Sequence, residues 1–329
     1  MNSTNTSTSV VVHQQWQHQV IIFINTYVLF CQILFGCSGN VLNLVVLLSR
    51  KMRSRTNLIF AVMAFADLFL LLMHIPQFLF FCKFAIHKSQ RYRDSRFLIR
   101  GILNWFSAIS IWSMMYATIE RVQVFRSPFR TSRRSVSPRF LANIAFIVIA
   151  SLAVTAQTFA PPSILFPAHI EKLLLVLHAV SVVVIPLVVC SLLNILLVLA
   201  LKKNTMPIQM LKDSQSQQTL LEARNKTERK ITITVSMIIT SFIVCNAPGA
   251  ILFIMNPKRD LTRAMVETIS NTLVITGKVL NFVLFCMSSD HFRALLRQQL
   301  VCVFDCTNVT RRSSCRSATK TYSIPLHDV

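Results

Sequence analysis

The segment ERVQVFRSPF, residues 120 to 129, decides the fold, because it places Arg121 directly at the end of a long apolar run. The arginine side chain is permanently charged, and a charge close to the hydrocarbon of a membrane is costly unless it is paired or faces a protein interior. Arg121 is therefore a candidate functional residue, provided that the run before it crosses a membrane.

The composition indicates a membrane protein. Hydrophobic residues make up 53% of the chain and charged residues only 14%, and the mean hydropathy is +0.55, unlike the balance of a soluble globular chain. About 20 helical residues cross the hydrocarbon layer of a bilayer. The sequence thus predicts an all-α membrane protein, a seven-transmembrane helix bundle. The seven apolar runs lie at about residues 20 to 48, 57 to 82, 97 to 120, 140 to 160, 173 to 201, 231 to 255 and 265 to 287.

The positive charges predict the orientation of the bundle, because Lys and Arg are most frequent in cytoplasmic loops. They follow the first, third, fifth and seventh runs, whereas residues 1 to 19 contain neither. We therefore expect a multi-pass protein of the cell membrane with an extracellular N-terminal tail over 1–19, a transmembrane domain over 20–302 and a cytoplasmic tail over 303–329. This topology and contact with the lipid bilayer account for the net charge of +22, and no nucleic-acid-binding motif accompanies it.

Short motifs occur in order along the runs. They are Gly39-Asn40 in the first, Ala64-Phe65-Ala66-Asp67 in the second, Glu120-Arg121-Val122 followed by Pro128-Phe129 in the third, Pro186 in the fifth, Phe242 with Cys245 and Pro248 in the sixth, and Asn281-Phe282-Val283-Leu284-Phe285 in the seventh. With these motifs, the chain resembles the rhodopsin-like G-protein-coupled receptors over residues 20 to 302. The resemblance implies a receptor that activates a heterotrimeric G protein and has a short amphipathic eighth helix.

The resemblance assigns G-protein coupling to Arg121 and its surroundings. Glu120 adjoins Arg121, and Glu228 at the start of the sixth run is a second acidic partner, suited to a bidentate contact that ties the third helix to the sixth. The resemblance implies that Phe129, together with the freed Arg121, receives the G protein, and Pro128 belongs to the same loop. The alternative is an arginine that merely extends to lipid phosphate.

Asp67 is a carboxylate near the middle of the membrane, where it should have a partner. The resemblance implies a sodium ion held with the help of Ser110 and Asn281. Lys278, however, precedes Asn281 by three residues and shares its helical face. We therefore expect the ammonium group of Lys278 to replace the ion and to pair with Asp67 directly. A Lys278 that extends to the lipid headgroups or faces a water-filled cavity is the alternative, and no other metal or cofactor is expected.

Further residues match the parts of the family that change on activation. The resemblance implies that Ile111, Pro186 and Phe242 connect the ligand pocket to the cytoplasmic end. Proline inside a membrane helix removes a hydrogen bond and kinks it, which makes Pro76, Pro186 and Pro248 candidate hinges. Asn40, in the glycine-asparagine pair of the first run, belongs to the same expected switch.

Four positions depart from the pattern of the family. Asn194 and Phe285 replace tyrosines, Phe282 replaces a proline and Asn246 replaces a tryptophan. Phe285 keeps its place in the expected switch, but it has no hydroxyl group. Activation is therefore expected to differ in detail from that of related receptors.

The connection between the second and third runs is basic, although it is expected to be extracellular. Arg96, Arg100 and Leu103 follow one another at spacings of four and three and share a helical face. We therefore predict a ligand-binding pocket, formed at Leu103 and Asn104, that is crowned by two guanidinium groups and attracts an anion. Leu103 stands where amine receptors of the family have an aspartate, which argues against a biogenic amine. The alternative is a basic loop that contacts only water and lipid phosphate.

Residues 125–130 and 277–286 are similar to those of FMRFamide-type neuropeptide receptors of invertebrates, especially nematodes. A peptide is therefore the expected ligand, and the two arginines favour an acidic side chain in it. A chemosensory receptor for small acidic or odorant ligands is the rival. A membrane transporter is more remote, because no repeat or broken helix is visible, and no catalytic motif indicates an enzyme.

The sequence also contains candidate modification sites. Asn2 and Asn5 begin glycosylation sequons on the predicted extracellular side. Cys302 and Cys306 follow the expected amphipathic helix and are candidates for palmitoylation. Arg96 stands where the family has the first cysteine of its extracellular disulfide, so no such bridge is expected.

Overall fold

A computed structural model describes residues 14–52, 54–83, 90–126, 137–160, 167–203, 215–255, 260–288 and 292–301. Over these ranges the regular structure is helical. Seven of the helices are long and apolar enough to cross a membrane. The predicted all-α fold with seven spans is thereby confirmed.

The first helix, α1, spans Gln14–Leu47 and includes one π-helical turn at Ile24–Val28. Its start lies before the apolar run at about residue 20, so the last part of the predicted N-terminal tail is helical. A hydropathy pattern detects only the apolar part of a helix, whereas α1 begins in the polar residues that precede this part.

The second helix, α2, spans Arg55–Phe81. Ser54 caps its N-terminus, because the serine side chain accepts a hydrogen bond from the backbone N–H of Asn57. The helix is interrupted at His74, and Pro76 lies in the first turn of the segment that follows. Backbone N–H groups in the first turn of a helix have no acceptor within the helix, so a proline there costs no hydrogen bond.

The third helix, α3, spans Gln90–Arg126 and extends beyond its apolar run at both ends. The fourth, α4, spans Pro138–Phe159 and is capped by Ser137, whose side chain accepts from the backbone N–H of Phe140. Its last turn, Ala156–Phe159, is a 3₁₀ helix.

The fifth helix, α5, consists of Ala168–Ala179, a π-helical turn at Val180–Val184 and Ile185–Lys203. The sixth, α6, spans Gln215–Met255 and contains Pro248. It begins well before its apolar run, in the polar stretch that the hydropathy pattern assigns to a loop.

The seventh helix, α7, spans Leu261–Ser288, and the eighth, α8, covers residues 292–301. α8 is amphipathic, because Phe292 and Leu295 are buried against the bundle whereas Arg297 is exposed. The resemblance implied such a helix after the seventh.

The helices form one bundle in which α3 is central. It contacts α2, α4, α5 and α6, while α7 closes the ring by packing against α1 and α6. A single apolar cluster receives side chains from all eight helices on the side of the bundle at which Arg121 lies, which we call the Arg121 end; the opposite side is the Arg96 end. One member from each helix, in order, is Val46, Phe60, Met114, Phe140, Leu197, Ile238, Phe285 and Leu295.

Many large apolar side chains face outward instead of into the bundle. Phe146 and Ile149 of α4 are each 69% exposed. Such a surface is unfavourable in water, whereas lipid tails are as apolar as the side chains themselves. Together with the seven spans, this surface characterises a multi-pass membrane protein.

Candidate functional site

An ion pair between Asp67 of α2 and Lys278 of α7 lies in the interior of the bundle. Nζ of Lys278 lies 2.8 Å from Oδ1 of Asp67, and the residues are 6% and 0% exposed, respectively. Both come from apolar spans, where an unpaired charge is costly. The structure brings together the two residues that the sequence analysis expects to pair.

Two further residues complete this group. Nζ of Lys278 also donates to Oγ of Ser110 on α3 at 3.0 Å, and Nδ2 of Asn281 donates to Oδ2 of Asp67 at 3.2 Å. Each carboxylate oxygen therefore has a donor, and one network joins α2, α3 and α7. Removing one member of a buried ion pair typically costs about 3 to 5 kcal/mol, because the other charge stays buried without a partner.

A small cavity adjoins the ion pair on the side of α6. Ser110, Phe242, Asn246 and Lys278 are among its lining residues, and the volume open to water is about 20 Å³, enough for a water molecule. Asn246, at the position of the expected tryptophan, donates from Nδ2 to the carbonyl oxygen of Phe242 at 2.8 Å. A small amide at this position leaves space beside Lys278 that a large indole would reduce.

Gly277 allows α6 and α7 to approach each other next to this cavity. A Cβ atom at Gly277 would lie 3.1 Å from Cβ and 3.2 Å from Sγ of Cys245. Such contacts are tighter than ordinary van der Waals packing, so a larger residue would require Cys245 to shift by a few tenths of an ångström. The glycine thereby permits the close packing of α7 against α6 just before Lys278.

Two of the three expected connector residues, Ile111 and Phe242, lie together between α3, α5 and α6. Ile111 and Val182 are buried in one apolar cluster, and Phe242 packs against it. Pro186, which is buried, is the second residue of α5 after the π-helical turn. Because Phe242 also lines the cavity, this cluster adjoins the network of Asp67 and Lys278.

A hydrogen bond from Trp112 explains how the irregular turn of α5 is accommodated. The N–H of Ile185 bonds to the carbonyl oxygen of Val180, five residues earlier. With the same spacing of five residues, the carbonyl oxygen of Ser181 would accept a hydrogen bond from the N–H of residue 186. This residue is Pro186, which has no N–H. Nε1 of Trp112 on α3 donates to the Ser181 carbonyl instead, at 3.2 Å. Sequence reasoning missed this contact.

Arg121 lies near the end of α3 and is 5% exposed. Glu120 beside it is half-buried and lies one turn after Tyr116, whose hydroxyl accepts a hydrogen bond from Nδ2 of Asn143 at 3.2 Å. An arginine buried to this extent faces the protein and not the lipid headgroups. The position of Arg121 thus contradicts the alternative of a side chain that only extends to lipid phosphate.

An aromatic cluster occupies the Arg121 end where the family pattern has tyrosine. Phe285 of α7 is 4% exposed; its ring centroid lies 5.1 Å from that of Phe60 and 5.5 Å from that of Phe292 on α8. Phe282 also contacts Phe292, at 6.4 Å. Two of the four departures from the family pattern, Phe282 and Phe285, therefore belong to an apolar contact between α2, α7 and α8.

Three hydrogen bonds connect α8 to the rest of the structure. Nη1 of Arg293 donates to the carbonyl oxygens of Cys286 and Met287 at 2.9 and 3.1 Å. These carbonyls belong to the last turns of α7, where a cation is favourable. Nζ of Lys51, after α1, donates to Oε1 of Gln298 at 3.1 Å.

At the Arg96 end, the two predicted guanidinium groups lie over one aromatic ring. The Cζ atoms of Arg96 and Arg100 lie 5.0 and 4.7 Å from the ring centroid of Phe97. Both arginines are exposed, whereas Leu103 and Asn104 are half-buried. The ring of Phe97 thus makes a cation–π contact with each arginine, which sequence reasoning missed.

Buried amide side chains form a row along α1, and the sequence analysis predicted only one of them, Asn40. Gln17, Asn25, Gln32 and Asn40 recur at intervals of seven or eight residues and are all buried, as expected for one face of a helix. They bond mainly to other helices. Gln17 donates to Oγ1 of Thr262, Gln32 to Oγ1 of Thr276 and the carbonyl of Thr272, Gln77 to Oδ1 of Asn25, and Asn40 to the carbonyl of Gly36 in its own helix.

The remaining predicted sites lie outside the described part of the chain. These are the glycosylation sites Asn2 and Asn5, the loop residues Pro128 and Phe129, and the candidate palmitoylation sites Cys302 and Cys306. Glu228 lies within α6, but its side chain is not among those that the structure describes. Pro248, the candidate hinge of the sixth helix, is half-buried within α6.

Comparison with known proteins agrees with this architecture. The family model described as 7 transmembrane receptor (rhodopsin family) matches residues 39–291. The protein therefore belongs to the rhodopsin family of seven-transmembrane receptors, whose members are receptors and not enzymes. The matched region includes the Asp67 and Lys278 network and Arg121.

Two proteins of Caenorhabditis elegans are similar to most of the chain. F59B2.13, whose name describes a G-protein-coupled receptor, is 27% identical over 327 residues, which cover 89% of this chain and 74% of the relative. B0563.6, named as the same kind of receptor, is 22% identical over 307 residues, which cover 84% of this chain and 69% of the relative.

Proposed function

We propose that this protein is a cell-surface receptor that binds an extracellular peptide and activates a heterotrimeric G protein. The observation that carries the proposal is the burial of Arg121 at the end of α3, beside Glu120, in a chain of the rhodopsin family. A buried cation at the end of a helix bundle is energetically costly unless it is paired or faces the protein interior. Release of such a residue exposes a new charged surface to a partner.

The charge distribution supports a cytoplasmic position of the Arg121 end. Lys and Arg are favoured on the cytoplasmic side of membrane proteins. Glu120 is an acidic residue of this end. The basic residues here include Arg50, Lys51, Arg55, Arg139, Lys230, Arg293 and Arg297.

The Arg96 end supports an anionic group in the ligand. Two exposed guanidinium groups lie on either side of residue 97 in the chain and over its ring, so their charges reinforce each other. A guanidinium group binds a carboxylate by two parallel hydrogen bonds. An acidic side chain of a peptide fits this site, and Leu103 offers no counterion for an amine.

A second candidate is a chemosensory receptor for small acidic ligands, because the same pair of arginines would also bind a free carboxylate. The two candidates differ in the size of the ligand. A peptide contacts more of the Arg96 end than the two guanidinium groups, whereas a small acid depends on them alone.

The experiment is a second-messenger screen of cells that express the receptor, with amidated peptides that contain acidic residues and with small carboxylic acids. An N-terminal epitope tag stained on intact cells tests the orientation. We expect the tag to be stained without permeabilisation. We also expect a peptide response that is lost in Arg121→Ala. Arg139→Ala, which changes an exposed arginine of the same end, should keep the response. Staining only after permeabilisation, or an unchanged response of Arg121→Ala at equal surface expression, contradicts the proposal. A response to small acids alone favours the second candidate.

A further inference from the structure

We propose that the ammonium group of Lys278 is the resident cation of the bundle interior. It takes the position beside Asp67 that the family resemblance gives to a sodium ion, and the wild-type protein therefore has no sodium-specific response at this site. The inference concerns the resting bundle and does not depend on which ligand or G protein the receptor uses.

The resemblance implies a sodium ion at Asp67, but the hydrogen bonds of the residues around it leave the ion no ligands. Hard cations bind through oxygen atoms, which Asp67 and Ser110 provide. Both oxygens already accept from Nζ of Lys278, at 2.8 and 3.0 Å. Asn281 turns its Nδ2 towards Asp67, at 3.2 Å, and so acts as a donor to the carboxylate. The residues present do not fit a sodium ion.

The charges lead to the same result. Asp67 and Lys278 compensate each other, and both are buried. A sodium ion in the same place would add a second positive charge next to the ammonium group, in surroundings where like charges repel much more strongly than in water. The ion could enter only if Lys278 left, and Lys278 would then need another partner inside the membrane.

A tethered cation has a consequence that a free ion lacks. A free ion can diffuse out of the bundle, whereas the ammonium group moves only with α7. Its contacts end on Asp67 of α2 and Ser110 of α3. A displacement of α7 that exceeds the reach of the lysine side chain would therefore lengthen or exchange one of these bonds, so Lys278 links the position of the seventh helix to α2 and α3.

The adjoining cavity provides a way to test the inference. Lys278→Ser removes the ammonium group and enlarges the cavity of about 20 Å³. It leaves Oδ1 of Asp67 and Oγ of Ser110 without their ammonium donor, and the introduced hydroxyl group adds a third oxygen ligand beside them. This variant should gain the sodium site that the wild type does not have.

The experiment measures thermal unfolding of the purified full-length receptor in sodium chloride and in choline chloride at equal ionic strength. We expect the same midpoint in both salts for the wild type. For Lys278→Ser in choline chloride, we expect an unfolding midpoint below that of the wild type. Sodium chloride should raise the midpoint of this variant, and the additional change Asp67→Asn should abolish the rise. Lys230→Ser, which removes an exposed lysine, is the matched control and should behave like the wild type.

Two outcomes overturn the inference. One is a sodium-specific rise of the wild-type midpoint that Asp67→Asn removes. The other is a folded Lys278→Ser variant that does not respond to sodium. If Lys278→Ser cannot be purified, the comparison of the wild type with Asp67→Asn decides by itself, because a sodium response at Asp67 in the wild type is incompatible with a resident ammonium group.

Discussion

The hydroxyl group of Ser236 on α6 donates a hydrogen bond of 2.7 Å to Oδ1 of Asn194 on α5. Nδ2 of Asn194 in turn donates to Oγ1 of Thr240, one turn further along α6, at 3.0 Å. Asn194 stands where the family pattern has a tyrosine. In this chain Asn194 thus joins α5 to α6 through both the oxygen and the nitrogen of its side-chain amide.

We predict that Asn194→Leu destabilises the bundle by about 1 to 2 kcal/mol. The change removes two hydrogen bonds between membrane helices, and such bonds contribute roughly 0.6 kcal/mol each on average and at most about 1.7. Equilibrium unfolding in detergent measures the loss. Ser191→Ala is the control, because Ser191 donates only to the Leu187 carbonyl of its own helix. An equal effect of both variants would refute a role of the contact between α5 and α6.

We predict that Trp112→Phe costs about 1 to 3 kcal/mol, because the carbonyl of Ser181 loses its donor. Pro186→Ala restores an N–H group in α5 close to that carbonyl. Trp112→Phe should therefore cost less in the Pro186→Ala background than in the wild type. A double-mutant cycle of unfolding free energies measures the difference. Equal costs in the two backgrounds would show that the indole does not replace the missing proline donor.

We predict that Phe285→Tyr lowers stability by about 1 to 3 kcal/mol, although tyrosine is the residue of the family pattern. The ring is buried between Phe60 and Phe292, and a hydroxyl group placed there must lose its hydration or force the rings apart. Thermal unfolding measures the effect. Phe23→Tyr, at a ring that is 56% exposed, should leave the midpoint unchanged. A midpoint of Phe285→Tyr at or above that of the wild type contradicts the packing argument.

Some of these features could be predicted from the sequence because the membrane restricts the alternatives. Seven apolar runs of sufficient length leave few folds besides a bundle of seven helices. Asp67 and Lys278 are ionisable residues inside such runs, and each needs a partner of opposite charge. Their contact therefore follows from the cost of burial, together with the shared helical face of Lys278 and Asn281.

Other features depend on details that no periodic pattern contains. The bond from Trp112 to Ser181 exists because α5 changes its register by one residue at a π-helical turn, and an apolar run of valines gives no sign of it. The cation–π contacts of Phe97 depend on the rotamers of neighbouring arginines. The polar extension of α6 before its apolar run is invisible to hydropathy, because no hydrocarbon surrounds it.

The central claim is that the protein signals to a G protein through Arg121. Nucleotide exchange on purified heterotrimeric G proteins, stimulated by a peptide that the wild-type receptor recognises in reconstituted membranes, tests it most directly. We predict that Arg121→Ala still binds the peptide but loses at least about nine tenths of the stimulated exchange, whereas Arg139→Ala keeps it. Stimulated exchange at the wild-type level in Arg121→Ala, with peptide binding intact, would contradict the claim.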